Sequence, residues 1–165
     1  MKLWLALTIG VAVLVVGTSF SPAFADPISN SVVFPVMAPR LTSSFGMRNH
    51  PVRKRVRHHS GVDLAAPMGS HVRAISGGRV VFAGNYGGYG KLVTVLHRGG
   101  YSSLYGHLSD ILVNVGQTLR PGDIVGRVGQ SGLATGPHLH FEWRKDGRPL
   151  DPLKTFPELA ADAEG

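Results

Sequence analysis

The chain lacks cysteine altogether. This absence excludes disulfides, thiolate metal ligands, a cysteine nucleophile and lipid attachment to a cysteine after a leader. A metal ion would therefore have to be held by imidazole and carboxylate groups. Helical periodicity is also missing, since no window from Leu41 to Leu150 has the pattern of an amphipathic helix. A second domain is excluded by length, because 165 residues are enough for one hydrophobic core but not for two.

Residues 1–25 have the pattern of a secretory signal peptide. Lys2 gives a positive start, Leu3 to Val16 is a nearly unbroken apolar run, and Ala23-Phe24-Ala25 is a small-x-small cleavage pattern. We therefore predict cleavage before Asp26 and an exported protein, either periplasmic or secreted and associated with the cell wall. The alternative is a retained anchor, because Leu3 to Phe20 approaches the ~20 apolar residues needed to cross a bilayer. Glycine and hydroxyl residues in this run, and the lack of a basic group soon after it, favour cleavage, so no stable membrane insertion is expected.

Positive charge exceeds negative charge, with a formal net charge of +7. Lys2 is lost with the leader, and five of the remaining positive residues lie between Arg48 and Arg57. A basic exported protein suits a polyanionic surface such as a cell wall, although nucleic acid or an anionic membrane would attract it equally. Charge alone therefore names no substrate.

Short β-branched or aromatic runs recur between glycine-rich turns from Leu41 onward. This pattern predicts a mostly β domain with an antiparallel sheet, whose glycine pairs fit hairpins and bulges that need positive φ. The closely spaced turns of Val113 to Gly129 indicate a sheet folded over as in barrel-sandwich domains. The predicted strands are Thr42–Phe45, Val72–Ile75, Arg79–Ala83, Leu92–Leu96, Tyr101–Tyr105, Ile124–Val128 and His138–Trp143.

The same boundaries divide the rest of the chain. Residues 26–40 are predicted to be an extended, proline-containing lead-in, residues 41–156 the β domain, and residues 157–165 a C-terminal tail. One short helix is expected after Leu150, with Asp151 as its N-cap and Pro152 at its first position.

Three histidine patterns stand out among eight histidines. In the first, His59 and Asp63 are four residues apart, ~13 Å on an extended strand and too far to share one ion comfortably. Gly61 between them would let the chain curl enough to bring them together. In the second, His138 and His140 alternate along a strand.

Strand geometry places the second pair on one face. Two positions along a strand are only ~6.6 Å apart, so both imidazoles would face one cleft while Leu139 and Phe141 point into the core. The third pattern, Tyr105-Gly106-His107, puts another imidazole where a strand meets a loop.

Each histidine alone is more simply a surface or hydrogen-bonded residue. Together, His59, Asp63 and one of His138 and His140 provide three ligands and leave the fourth tetrahedral position for water, as catalytic zinc requires. The other histidines are then available for proton transfer. Spacing does not choose His140 over His138, and it does not exclude His58.

Four separate blocks closely resemble the lysostaphin-type zinc metallopeptidases, also called LytM peptidases, of family M23. The blocks occur in the order typical of that family, and the resemblance covers residues 39–156. They are Ser44–Arg48 (SFGMR), His59–Pro67 (HSGVDLAAP), Tyr105–Leu108 (YGHL) and Gly132–Glu142 (GLATGPHLHFE).

The resemblance implies one Zn²⁺ ion per chain, with His59, Asp63 and His140 as its ligands. It implies that His107 and His138 are catalytic, one orienting or deprotonating water and the other stabilising the charged intermediate. It further implies a duplicated hybrid motif fold and a monomeric endopeptidase that cuts peptide cross-links of peptidoglycan, either glycine bridges or the D-alanyl to diaminopimelate link. No nucleic acid partner is expected.

Other functions remain as alternatives. Some relatives have lost metal ligands and activate a separate wall hydrolase without being enzymes, but every metal and catalytic position of the family is filled here. A cytoplasmic phosphocarrier with two histidines in a cleft does not fit the leader or Asp63. The secreted animal relatives usually carry disulfides, which the absence of cysteine excludes.

Overall fold

The computed structural model describes residues 33–49, 56–157 and 159, and it contains twelve β-strands and one short α-helix there. The predicted signal peptide lies outside the described residues, as do residues 50–55 of the basic stretch. The elements are β1 (Arg40–Ser43), β2 (Gly46–Asn49), β3 (Val56–His59), β4 (Val62–Ala65), β5 (His71–Arg73), β6 (Gly78–Asn85), β7 (Lys91–Leu96), β8 (Tyr101–Ile111), β9 (Thr118–Leu119), β10 (Ile124–Val128), β11 (His138–Lys145), β12 (Arg148–Leu150) and α1 (Pro152–Thr155).

A ten-stranded antiparallel sheet forms most of the domain, with the strand path β1-β4-β11-β8-β7-β6-β9. Strand β8 pairs with β11 as far as Gly106 and with β10 from Leu108 onward, and β10 also pairs with β5. The sheet therefore folds over along β8 without closing into a barrel. Strands β2 and β3 form a separate two-stranded sheet. The predicted fold class, mostly β with an antiparallel sheet folded over and one short helix, is confirmed.

The predicted strand positions are correct where alternation is regular. Strand β10 has the predicted bounds, and β8 and β11 extend beyond their predicted ends to Ile111 and Lys145. The predicted strand Thr42–Phe45 is correct only at residues 42 and 43, because β1 ends at Ser43 and the chain turns before Gly46, whose φ is 112°. Strands β2, β3, β4, β9 and β12 are not among the predicted strands, because each has four residues or fewer and lacks a run of β-branched or aromatic residues.

The core and a cleft lie on opposite faces of the same three strands. In one cross-strand row, Leu41 of β1 pairs with Leu64 of β4, and Leu64 pairs with Leu139 of β11. Leu64 and Leu139 are fully buried in the core. In the neighbouring row Asp63 pairs with His140. Because side chains alternate along strands, Asp63 and His140 point away from the core.

The ends of the described chain pack against this core. Val36 of the predicted lead-in and Leu159 of the predicted tail are both fully buried in it. Helix α1 confirms the predicted cap, since the Leu153 amide donates to Asp151 Oδ1 at 3.1 Å and Pro152 is the first helical residue. Within the part of the chain that the structure describes, neither this helix nor any other has the length and apolar character to span a bilayer.

Candidate metal centre

His59 and Asp63 belong to different sheets. His59 ends β3, the chain bends at Gly61, and Asp63 lies in β4. A Cβ atom on Gly61 would overlap the backbone carbonyl of Phe141 in β11. Glycine is therefore required here for the close approach of two backbones. This crossing between sheets brings His59 against the Asp63 and His140 pair.

Three side-chain atoms converge at the centre of the cleft. Asp63 Oδ1 lies 3.1 Å from His59 Nε2 and 2.9 Å from His140 Nδ1, and the two ring nitrogens are 3.1 Å apart. All three residues are buried. His138 is close by, but its Nε2 lies 3.7 Å from the same Asp63 oxygen. The structure thus groups His140 with His59 and Asp63 and leaves His138 at the edge of the group.

The remaining ring nitrogens define which atoms carry protons. His59 Nδ1 lies 2.8 Å from the Ser44 carbonyl oxygen, and His140 Nε2 lies 3.0 Å from a carboxylate oxygen of Glu142. Because a carbonyl and a carboxylate accept hydrogen bonds only, these two nitrogens must donate. In the neutral tautomers the lone pairs of His59 Nε2 and His140 Nδ1 therefore point at Asp63.

Two lone pairs and a carboxylate oxygen facing one another require positive charge between them. Two imidazoles and a carboxylate form a donor set that zinc accepts in catalytic sites. The three side chains consequently fit a divalent metal ion of this kind. In the metal-free protein a proton on His140 supplies this positive charge. Burial lowers the pKa of His140, but hydrogen bonds with Asp63 and Glu142 outweigh burial and raise the pKa to about 9. Burial raises the pKa of Asp63, but its contacts with His140 and His59 outweigh burial and hold this pKa far below its usual value.

His107 lies at an irregular point of β8. Its φ is 61°, in the left-handed region that non-glycine residues rarely adopt, and the register with β7 shifts between Val93 and Lys91 as in a β-bulge. Its Nδ1 lies 2.8 Å from the Ser131 carbonyl oxygen, so Nε2 is the acceptor that faces the cleft. Burial lowers the pKa of His107 to about 4, against the effect of the Ser131 carbonyl. The ring is therefore neutral at pH 7.

His138 completes the group at the edge of the cleft. Its Nδ1 lies 2.8 Å from the Gly136 carbonyl oxygen, and its ring centroid is 4.7 Å from that of His107. Its Nε2 is accordingly an acceptor, like that of His107. All five residues predicted from the sequence thus line one cleft of about 740 Å³. His58 also lines it, but it is exposed and packs its ring against Phe45.

A fully buried carboxylate behind His140 was missed by the sequence reasoning. Glu142 Oε1 accepts hydrogen bonds from His140, from Tyr89 at 2.7 Å and from the Ser60 hydroxyl, while Oε2 accepts from Arg144 Nε at 2.6 Å. Burial raises the pKa of Glu142, but the hydrogen bond from His140 is the main cause that lowers it, to about 2. The alternation that revealed His138 and His140 places Glu142 on the same face, so the signal was present in the sequence.

An arrangement of a carboxylate, two imidazoles and further imidazoles around an open cleft is typical of metal-dependent hydrolases. Residues 57–152, more than half of the chain, match the sequence profile described as Peptidase family M23. The protein belongs to this family, and the resemblance of its four sequence blocks to lysostaphin-type peptidases is confirmed.

Similar proteins come from several bacteria. The DD-carboxypeptidase/endopeptidase Mpg of Neisseria meningitidis serogroup B is 44% identical over 128 residues, which cover 76% of this chain and 30% of Mpg. The peptidoglycan DD-endopeptidase ShyA of Vibrio cholerae is 42% identical over 123 residues, which cover 74% of this chain and 29% of ShyA. The crystal structure of a zinc containing peptidase from Vibrio cholerae matches with a TM-score of 0.67 and 39% identity, over 72% of this chain and 37% of that one. The chain thus spans less than a third of the length of the two curated relatives.

Proposed function

We propose that this protein is an exported zinc metalloendopeptidase that hydrolyses peptide cross-links of bacterial peptidoglycan. The observation that carries the proposal is the convergence of His59 Nε2, His140 Nδ1 and Asp63 Oδ1, with both imidazole lone pairs directed inward. Membership of family M23 and the similarity to a peptidoglycan DD-endopeptidase support the reaction and the substrate. Export rests on the leader pattern, and N-terminal sequencing of the mature protein should find Asp26 first.

In this proposal His59, Asp63 and His140 hold one zinc ion. When bound, zinc supplies Lewis-acid activation of water and of the scissile carbonyl. Glu142 keeps the proton of His140 on Nε2 and so keeps Nδ1 free to act as a ligand.

His107 and His138 are the proposed catalytic residues. Each ring has Nδ1 bound to a backbone carbonyl and Nε2 open to the cleft, and a neutral imidazole in this state accepts a proton at Nε2. Once protonated, the same atom donates a hydrogen bond to the developing oxyanion or returns the proton to the leaving amine. The lowered pKa of His107 keeps that ring neutral, and therefore ready to accept a proton, over the whole neutral range.

Zinc content and turnover separate the two groups of residues. We expect His140→Ala and Asp63→Ala to lose zinc after dialysis, whereas His107→Ala and His138→Ala retain zinc and lose most of their turnover. The exposed His71 on β5, substituted by alanine, is the matched control and should behave as the wild type.

The assay is release of soluble fragments from purified peptidoglycan, with no other protein added, followed by mass spectrometry of the products. Release by the isolated protein also excludes the alternative of an activator that works through another hydrolase. An active enzyme that keeps its zinc without His140 would disprove the metal site.

A further inference from the structure

The cleft has an arginine on its β1 side. Arg40 pairs with Ala65 of β4, which in turn pairs with His138 of β11, so Arg40 and His138 belong to one cross-strand row. Two strand spacings separate their Cα atoms by about 10 Å. Arg40 is exposed and lines the cleft. The Arg40 side chain therefore starts close to His138, a predicted catalytic residue, and is not part of the metal centre.

A second arginine extends the same side. Arg57 lies two residues before His59 on β3, and alternation directs both side chains to one face of that strand. Arg57 is exposed and also lines the cleft. Among the described residues, neither guanidinium has a hydrogen-bond or ion-pair partner. Two unpaired cations thus face the same space.

The opposite side of the cleft carries no charge. It is lined by the tight turn at Gly88 and Tyr89 and by a loop that includes Leu133 and Pro137. Asp63 is the one acidic residue among the lining residues that the structure describes, and its charge faces two histidines. A bound peptide would therefore meet a positive side and a neutral side.

Guanidinium groups bind carboxylates through paired, charge-assisted hydrogen bonds. We propose that Arg40 and Arg57 form a carboxylate-binding wall, which makes the cleft selective for cross-link peptides that carry free carboxylates beside the scissile amide. This inference rests on the proposed peptidase function. A bridge made of glycine alone offers no carboxylate at these positions, and amidated residues offer only a neutral group.

The test compares one purified cross-linked peptide in two forms, with its carboxylates free and with the same groups converted to amides. For the zinc-loaded wild type we expect kcat/KM to be about tenfold higher for the free carboxylates, mostly through KM, since each exposed ion pair contributes about threefold. Arg40→Gln and Arg57→Gln should each reduce this ratio about threefold, and the double variant should bring it close to one. Arg79→Gln is the control, because it removes one arginine charge from an exposed residue of β6 that does not line the cleft. This variant should keep the wild-type ratio.

Each outcome decides the inference. Equal cleavage of both forms by the wild type, or an unchanged ratio in a double variant with wild-type thermal unfolding, would overturn the carboxylate wall and leave the peptidase proposal intact. Failure of the wild type to cleave either form would instead overturn the peptidase function, and the wall with it. A reduced ratio in both single variants and an unchanged ratio in Arg79→Gln would support the wall.

Discussion

Replacing Glu142 by glutamine tests how the metal centre is held. The substitution keeps an oxygen that accepts from His140 Nε2 but removes the negative charge and turns an amide N–H₂ toward Arg144. A hydrogen bond to a charged partner contributes about 1.5–3 kcal/mol, against about 0.5–1.5 kcal/mol for a neutral one. The midpoints of these ranges differ by about 1.3 kcal/mol, which is close to the ~1.4 kcal/mol of a tenfold change in an equilibrium constant.

We therefore expect Glu142→Gln to raise the dissociation constant for zinc about tenfold, within the range of about 10- to 100-fold typical of residues that orient metal ligands. Competition with a chromogenic chelator measures this constant without any substrate. Asp110→Asn is the matched control, because it makes the same chemical change at an exposed carboxylate of β8.

Thermal unfolding must show that both variants are folded at the assay temperature. A folded Glu142→Gln protein with wild-type zinc affinity would refute the reasoning, since the charge of Glu142 would then have no effect on the ligand. An equal loss of affinity in Asp110→Asn would refute it as well, because the effect would be one of overall charge.

Three further predictions concern backbone and buried groups. Because the φ of His107 is 61°, His107→Gly should be more stable than His107→Ala by about 1 kcal/mol, the reverse of the usual order, and urea unfolding measures the difference. Burial lowers the pKa of His97 in the folded protein. As the pH falls below 6.5, His97 is therefore protonated in the unfolded chain before it is protonated in the folded one. The wild type should therefore lose stability from pH 6.5 down to that lowered pKa, relative to His97→Gln, and urea unfolding at pH 7.5 and 5 measures this loss. Gly61→Ala should destabilise the fold by more than about 3 kcal/mol through overlap with Phe141, whereas Gly84→Ala, with only ordinary contacts, should change stability little in thermal unfolding.

Strand periodicity made much of the site predictable. The rule that alternate residues share a face was enough to place His138 and His140 in one cleft and Phe141 in the core, and the structure has them there. The same rule overestimated the separation of His59 and Asp63, because it treats the chain as one strand. Their contact depends on the bend at Gly61, which the sequence predicted, and on the crossing between two sheets there, which no local pattern contains.

The pairing of strands that are distant in the sequence adds information that the local sequence pattern does not contain. His140, and not His138, pairs with Asp63 across β4 and β11, and this pairing supports the proposed choice of His140 as a ligand. Glu142 also accepts a hydrogen bond from Tyr89, which is 53 residues away in the chain. Contacts between residues so far apart are fixed by the packing of the whole sheet, so spacing alone did not reveal them.

Strand β11 lies between β4 and β8 in the sheet and follows both of them in the sequence. His140 on β11 is 81 residues from His59, so the three side chains of the candidate metal centre converge only when β11 has joined the sheet. Closing a loop of this length costs entropy that only the completed sheet repays. The proposed metal site would therefore report that this sheet has formed, because a copy in which β11 is not paired with β4 lacks the convergence of the three side chains.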